Sequence, residues 1–266
     1  MTRIIWITDP HLNFVRPLAV REFLDDVAER EPAAVLIGGD IGEAHNVVAY
    51  LEQVDELWQR PVHFVLGNHD FYRGSIAGVR REIDRLCERR PLLNYLSHRG
   101  VVELTSKLGL VGHDGWADAR VGDYEHSYIM MNDYKLIAEL SPHSKEQRWP
   151  VLRSLGDAAA AHIRHVLPQA LKRFDDVLLL THVPPLRAAC WHEGRPSDDE
   201  WSPHFVCQAV GEAILEIMTS APTKRLTVLC GHTHSGGETD PLPNVHIVTG
   251  PAAYGFPAIT REFEFE

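Results

Sequence analysis

Five short motifs rich in histidine, aspartate and glycine follow one another along this chain, each directly after an apolar run typical of a buried strand. They are Asp9-Pro10-His11, Gly39-Asp40, Gly67-Asn68-His69-Asp70, Thr181-His182 and Gly231-His232-Thr233-His234. One such motif carries little information by itself. In α/β sheets, however, ligands gather beyond the carboxyl ends of the strands. The ordered set therefore predicts that all five motifs build one site.

The side chains of these motifs form the ligand set of a two-metal hydrolytic site. Of the three aspartates, one asparagine and five histidines in the motifs, two aspartates, the asparagine and four or five histidines are candidate ligands. Neutral imidazole and carboxylate or amide oxygens suit Mn, Fe, Zn and Ni. Two divalent cations about 3.5–4 Å apart can hold a phosphoryl group and generate hydroxide at neutral pH. An aspartate can bridge two metals because it has two oxygens, and Asn68 adds an oxygen without adding negative charge.

The motif set resembles the calcineurin-like metallophosphoesterases. Their pattern D-x-H, G-D, G-N-H-[DE], H and G-H-x-H is complete between Asp9 and His234. The resemblance implies phosphate-ester cleavage by a metal-bridging hydroxide, with Asp40 as the ligand that both metals share. The other implied ligands are Asp9, His11 and His234 for the first metal, and Asn68, His182 and His232 for the second.

The resemblance also implies two catalytic residues that are not metal ligands. His69 would face the scissile phosphate, and Asp70 would hold its ring. Asp70 is also a candidate helix N-cap, a role compatible with orienting His69. Gly67 and Gly231 are expected to permit tight turns with positive φ.

Two further segments are candidates for the rim of the site. In residues 112–120, either His113, Trp116 and Arg120 contact the substrate, or the segment is a polar turn anchored by a buried tryptophan. After the fourth motif, either Arg187, with Trp191 and His192, forms a second rim, or these are solvated loop residues. The other histidines have no motif context and are interpreted as structural.

Apolar runs and helical patterns alternate along the chain, which is typical of right-handed βαβ units. Strands are predicted at residues 3–8, 34–37, 62–66, 101–104, 108–111, 177–180, 226–230, 245–248 and 259–265. Helices are predicted around residues 20–27, 47–58, 76–86, 152–172 and 203–218, with a loop-like segment and one short helix at 117–145. A chain of 266 residues that is 44% apolar suits a single α/β domain over residues 1–266. The resemblance implies a four-layer sandwich of two mixed β-sheets flanked by helices, the metallo-dependent phosphatase fold.

The net charge of −11 argues against tight binding to long nucleic acid, which requires basic patches. A small phosphate ester remains compatible because the metals supply local positive charge. The four cysteines lack CxxC spacing and are interpreted as buried free thiols in a reducing compartment. No signal peptide or membrane-spanning run is predicted, so a cytoplasmic location is expected.

Departures from other members of this superfamily favour a phosphodiesterase acting on small substrates. Asp40 is followed by Ile41-Gly42-Glu43, so the arginine of the serine/threonine phosphatases and the tyrosine of the purple acid phosphatases are both missing. His69 argues against the lipid-A pathway pyrophosphatases, which carry arginine there. The motif style is most similar to bacterial small-substrate phosphodiesterases, including those acting on cyclic nucleotides. The alternatives are a DNA-end-processing nuclease, a phosphomonoesterase, or a protein-binding scaffold that has lost its ligands, although no ligand is missing here.

Overall fold

A computed structural model describes residues 2–265 as two β-sheets packed face to face. The first sheet has the strand order β13-β1-β2-β3-β4, in which β1 to β4 are parallel and β13 is antiparallel to β1. Its strands are β1 (Thr2–Ile7), β2 (Ala34–Gly38), β3 (Val62–Val65), β4 (Leu93–Tyr95) and β13 (Arg261–Phe265).

The second sheet has the order β11-β12-β10-β7-β6-β5. Its four central strands are parallel, and both edge strands are antiparallel to their neighbours. The strands are β5 (Val102–Glu103), β6 (Leu108–His113), β7 (Asp176–Thr181), β10 (Arg225–Cys230), β11 (Gly237–Leu242) and β12 (Val245–Thr249). A small separate hairpin joins β8 (Trp191–His192) and β9 (Arg195–Pro196).

Helices cover the outer face of each sheet. The first sheet carries α1 (Pro17–Glu29), α2 (Val47–Trp58) and α3 (Ile76–Arg89), and the second carries α5 (Lys145–Arg173) and α7 (Gln208–Thr219). The short helices α4 (Asp133–Leu136) and α6 (Ser202–Phe205) lie in the long connections. The predicted four-layer α/β sandwich is therefore confirmed.

Alternation along the strands explains the layering. In β1, Ile4 and Trp6 pack between the sheets, whereas Ile5 and Ile7 pack toward the helices. Successive side chains of a strand point to opposite faces. Because helices cover the outer face, both sets are buried, and the strand reads as a continuous apolar run.

Several element boundaries differ from the prediction. The helix expected over residues 203–218 is two helices, because Val206 is extended and its carbonyl accepts a hydrogen bond from the Asp118 N–H. The long helix begins at Lys145 rather than 152, where Ser144 and Gln147 form a capping box. Strand β4 is only three residues long, and β11 consists mostly of polar residues. Neither strand therefore contains the apolar run from which a strand is predicted.

All four cysteines are free thiols. The expectation that they are buried holds for Cys190, Cys207 and Cys230, whereas Cys87 is half-buried. None of the helices within residues 2–265 has both the length and the apolar character that crossing a bilayer requires.

Candidate metal centre

The five motifs meet where strands of both sheets end. Three follow β1, β2 and β3 of the first sheet, and two follow β7 and β10 of the second. Backbone hydrogen bonds join neighbouring motifs: the His11 N–H donates to the Asp40 carbonyl over 2.9 Å, and the Gly231 N–H donates to the His182 carbonyl over 2.9 Å. The parallel sheets thus bring residues more than 200 positions apart onto one edge.

Residues with a left-handed backbone conformation are concentrated at these motifs. Ten residues other than glycine have positive φ within residues 2–265, and five of them are predicted metal ligands. These five are Asp9 (49°), His11 (43°), Asp40 (53°), His232 (71°) and His234 (57°). Left-handed backbone is unfavourable for residues with a Cβ and clusters at functional sites. This clustering supports a functional edge.

A first ligand group consists of Asp9, His11, Asp40 and His234, whose candidate ligand atoms all lie within 4.8 Å of one another. The Nε2 atoms of His11 and His234 are 2.9 Å apart. Asp40 Oδ2 lies 3.6 Å from the first of these atoms, and Asp9 Oδ1 lies 3.6 Å from the second. The group can surround one cation.

A second ligand group lies on the other side of Asp40. The Asn68 Oδ1 atom is 3.1 Å from His182 Nε2 and 3.0 Å from His232 Nδ1. Asp40 Oδ1 lies 3.5 Å from His182 Nε2. Asp40 therefore turns one carboxylate oxygen toward each group, as a bridging ligand must.

Both histidines of the second group direct a ring nitrogen lone pair toward Asn68 Oδ1. The Nδ1–H of His182 donates to the Gly38 carbonyl over 2.9 Å, which leaves Nε2 unprotonated in the neutral ring. The Nε2–H of His232 donates to the His204 carbonyl over 3.2 Å, which leaves Nδ1 unprotonated. Such hydrogen bonds from the outer ring nitrogen are the usual support of metal-bound histidines.

Asn68 is oriented by the same kind of outer contact. Its Nδ2 donates to the Tyr72 hydroxyl over 3.0 Å and to Asp133 Oδ1 over 2.8 Å, so its oxygen faces the two histidines. Four acceptor atoms of the second group thus converge without a hydrogen between them. A bound cation satisfies all four at once, so the donor set fits a metal.

Four buried carboxylates at this edge have no lysine or arginine partner among the described residues. Asp9, Asp40, Asp70 and Asp133 are all at least 94% buried. Within residues 2–265, their ion-pair neighbours are histidines at most, with no lysine or arginine nitrogen within 4.0 Å. An unpaired buried carboxylate costs several kcal/mol. Two divalent cations would offset that cost.

The pKa values follow from this burial. Desolvation raises the pKa of Asp9 to about 7 and that of Asp40 well above its usual range. Desolvation also lowers the pKa of His234 to about 4 and that of His232 well below its usual range. Near pH 7 these imidazoles are therefore neutral, which is the form that binds metals.

His69 lies beside the ligand groups rather than within them. Its ring is 12% exposed, and its Nε2 is 4.0 Å from Asp40 Oδ2 and 3.4 Å from the Tyr254 hydroxyl. Its Nδ1 has no hydrogen-bond partner, and the ring packs on Tyr72 with centroids 4.3 Å apart. Burial lowers the pKa of His69 to about 4.

A cavity of about 280 Å³ opens above the ligand groups. Its floor contains Asp40, His69 and the ligand histidines of the last motif. Its walls are largely aromatic, from His192, Trp201, Phe205 and Tyr254. None of the described side chains that line it is lysine or arginine.

Asp70 does not contact the ring of His69, contrary to the sequence-based expectation. It is fully buried, and its Oδ1 accepts the N–H groups of Ile41 (2.9 Å) and Gly42 (2.8 Å). Its Oδ2 accepts the Gly67 N–H over 2.8 Å. It also lies inside a short 3-10 turn, His69–Phe71, rather than at an N-cap. Asp70 therefore joins the loop after Asp40 to the loop that carries Asn68.

We expect Asp70→Asn to destabilise the metal-free protein by about 1–3 kcal/mol, because the new NH2 group must face a backbone N–H donor. Urea unfolding measures this, with the exposed Asp25→Asn as the matched control. Unchanged stability combined with an altered pH profile of turnover would instead indicate that Asp70 acts on His69.

Gly67 and Gly231 do not have positive φ, so the expected reason for glycine at these positions is wrong. Glycine is required because ligand side chains approach the backbone closely. A Cβ at position 67 would lie 2.1 Å from Asp40 Oδ1, and one at position 231 would lie 1.9 Å from Asp9 Oδ2. Any side chain at either position would displace a carboxylate of the first ligand group.

The 112–120 segment has the contacts of an anchored turn. Trp116 is 5% exposed and packs on Phe71, with ring centroids 5.8 Å apart. The Arg120 guanidinium binds Asp118 over 2.9 Å and Asp157 over 2.7 Å. These contacts support the interpretation as a polar turn with a buried tryptophan.

His113 and Arg187 also make local contacts. The buried His113 accepts the Gly115 N–H at Nδ1 over 3.0 Å, and Arg187 binds Asp199 over 2.5 Å. In the second rim segment, His192 is the residue that lines the cavity, and its ring centroid is 4.5 Å from that of Trp201. Substrate contact by these residues stays a prediction.

Several residues at this edge were not identified from the sequence. Tyr254, Trp201 and Phe205 line the cavity, while Asp133 and the His204 carbonyl orient metal-ligand candidates. None belongs to a motif. The one available signal is the polar Asp133 beside Tyr134 in a segment predicted to be a loop.

Comparison with known proteins agrees with this architecture. The family profile described as calcineurin-like phosphoesterase matches residues 2–236. No curated protein sequence matches the chain significantly.

Solved structures share the fold at low identity. The structure of phosphopantetheinyl hydrolase from Mycobacterium tuberculosis is 14% identical with a TM-score of 0.62, over 96% of this chain and 90% of the other. A dimetal phosphatase from Danio rerio is 15% identical with a TM-score of 0.58, over 96% and 89%. A protein from Thermus thermophilus is 13% identical with a TM-score of 0.55, over 94% and 89%.

Proposed function

Because the chain belongs to the calcineurin-like phosphoesterase family, we propose that this metal-dependent phosphoesterase hydrolyses small phosphate diesters at the edge where its five motifs meet. The observation that carries the proposal is the position of Asp40. One of its oxygens faces the His11 side and the other faces the His182 side. Two groups of acceptor atoms thus share one carboxylate.

The ligand assignment follows these two groups. Asp9, His11 and His234 would hold the first cation together with Asp40. The second would be held by Asp40 with Asn68, His182 and His232. When bound, two divalent cations supply Lewis-acid stabilisation of phosphoryl oxygens and lower the pKa of bound water.

His69 is assigned to the leaving group. Its ring lines the cavity and is not needed to complete either ligand group. With a pKa near 4 the ring is neutral near pH 7. It would then stabilise charge on the leaving oxygen through a donated hydrogen bond more than by full proton transfer.

The lining of the cavity supports a diester over a monoester. A monoester dianion carries one more negative charge than a diester and benefits more from cationic side chains beside the metals, and no lysine or arginine is found among the described lining residues. The two arginines predicted as substrate contacts, Arg120 and Arg187, are paired with carboxylates. A diester carries one negative charge, and its second ester group can pack on the walls formed by Trp201, Phe205 and Tyr254.

Bis(4-nitrophenyl) phosphate should be a better substrate than 4-nitrophenyl phosphate. We expect kcat/KM to differ by about tenfold or more, equivalent to ~1.4 kcal/mol in the barrier. Both esters are compared at one pH with Mn, Fe, Zn and Ni in turn. Trp201→Ala should narrow the difference, and the exposed Tyr128→Ala is its control. Higher efficiency on the monoester would favour the phosphomonoesterase alternative.

A further inference from the structure

A second cavity, of about 340 Å³, lies beneath residues 124–130. We call it the 124–130 cavity. Its charged lining residues are Lys145 and Arg148, both from the first turns of α5, and Glu125. Its apolar lining includes Tyr128, Met130 and Tyr134. It shares no lining residue with the cavity above the metal-ligand groups.

Arg148 is a buried cation without an anionic partner. It is 94% buried, and its contacts within residues 2–265 are with a carbonyl and an aromatic ring, with no carboxylate within 4.0 Å of its guanidinium. Its Nη1 donates to the His143 carbonyl over 3.0 Å, and its guanidinium carbon is 4.3 Å from the centre of the Tyr134 ring. Its Nε has no hydrogen-bond partner. A buried charge without a counter-ion costs several kcal/mol, so a bound anion would stabilise this arrangement.

Lys145 adds a second positive charge to the same cavity. Its ammonium group donates to the carbonyls of Glu125 (2.8 Å) and Ser127 (2.6 Å), which are neutral acceptors. The nearby Glu146 carboxylate accepts a hydrogen bond from Ser144 instead. The positive end of the α5 dipole lies at the same place. Two cationic side chains, Lys145 and Arg148, thus line the cavity against one carboxylate, that of the exposed Glu125, in a chain whose net charge is −11.

We propose that the 124–130 cavity binds a small carboxylate whose body is planar and apolar. A carboxylate matches the fork of an arginine, so Arg148 can bind one through the part of its guanidinium that lines the cavity. Tyr128, Met130 and Tyr134 offer apolar surface to the body of such a ligand. The volume of the cavity is near the lower end of the range for small-molecule sites.

The site also borders the metal centre. The Tyr134 hydroxyl is 2.6 Å from His204 Nδ1, and the Ser127 hydroxyl is 3.0 Å from His204 Nε2. The carbonyl of His204 accepts the hydrogen bond that orients His232. A ligand in the 124–130 cavity would therefore contact residues one hydrogen bond removed from a metal-ligand candidate.

The test uses benzoate as the probe and benzamide as its uncharged counterpart, with binding measured by calorimetry on the full chain. We expect benzoate to bind at least about tenfold more tightly than benzamide, and Arg148→Met to weaken benzoate binding by about tenfold or more. Arg153→Met, on the same helix but outside the cavity lining, is the matched control. Lys145→Met provides a second variant if Arg148→Met does not fold, with a smaller expected loss.

Metal-loaded and metal-stripped protein are compared in the same experiment. Binding that persists after stripping, and that depends on Arg148 or Lys145, supports the proposal. Loss of benzoate binding on stripping would assign the probe to the metal centre and overturn it. Equal affinity for benzoate and benzamide, or equal effects of Arg148→Met and Arg153→Met, would also overturn it.

Discussion

Replacing Asp40 with alanine is expected to reduce the bound metal from about two ions per chain to one at most. Turnover should fall by at least the ~10²–10³-fold that loss of one electrostatic group costs an active site. The reason is that Asp40 faces both ligand groups, with Oδ2 3.6 Å from His11 Nε2 and Oδ1 3.5 Å from His182 Nε2. Its removal takes a ligand from each group.

Elemental analysis of reconstituted protein measures the metal content, and the rate on an activated diester measures turnover. Asp25→Ala is the matched control, because this aspartate is exposed and its partner is Arg21 on the same helix. Two ions retained by Asp40→Ala would contradict a shared ligand. If circular dichroism shows that Asp40→Ala loses its fold along with both ions, the same measurement is made on Asp40→Asn. One bound ion at most is again expected.

Replacing His69 with alanine should leave both metals bound and lower turnover by about 10²–10³-fold, the range that loss of one hydrogen-bond donor to a developing oxyanion costs. The backbone N–H of residue 69 donates to Asp40 Oδ1 over 2.9 Å, and alanine keeps this hydrogen bond. The ligand groups should therefore stay intact. The loss should grow as the leaving group becomes poorer, since stabilising the leaving oxygen then matters more.

Metal content and kcat are measured together for a series of aryl diesters of increasing leaving-group pKa. His45→Ala is the control, because this histidine is exposed and lines neither cavity. Loss of metal from His69→Ala would make His69 a ligand. An equal loss of kcat for every leaving group would place its role elsewhere in the reaction.

Local sequence patterns, together with the family resemblance, predict the fold class and the chemistry of the metal-ligand groups. Apolar runs such as Ile4 to Ile7 are local patterns, and a run buried on both faces requires a covering layer on each side of the sheet. The family resemblance implied that these layers are helices on one side and a second sheet on the other. The motifs directly follow such runs, so each motif lies at the end of a strand. The ends of neighbouring parallel strands lie at one edge of a sheet, which brings the motifs together. This is why Asp9, Asp40 and His234 meet in the structure as the sequence predicts.

Some predictions from local patterns were wrong because they assigned a residue to a partner adjacent to it in the sequence. Asp70 directly follows His69, yet its oxygens are taken by the N–H groups of Ile41, Gly42 and Gly67. Helical periodicity continues through residues 203–218, but Val206 leaves the helix to pair with Asp118. In both places the residue forms its hydrogen bonds with another loop and not with its neighbour in the sequence.

The side chains that support and surround the site depend on tertiary packing. Asn68 is held by Asp133, 65 residues away, and His69 contacts Tyr254, 185 residues away. These partners lie on loops without periodic patterns, and their positions depend on how both sheets and their connections pack. Arg148 looks like an ordinary helical arginine until packing buries it without a carboxylate. Local patterns specify strands and the residues at their ends, whereas contacts between distant loops depend on the packing of the whole domain.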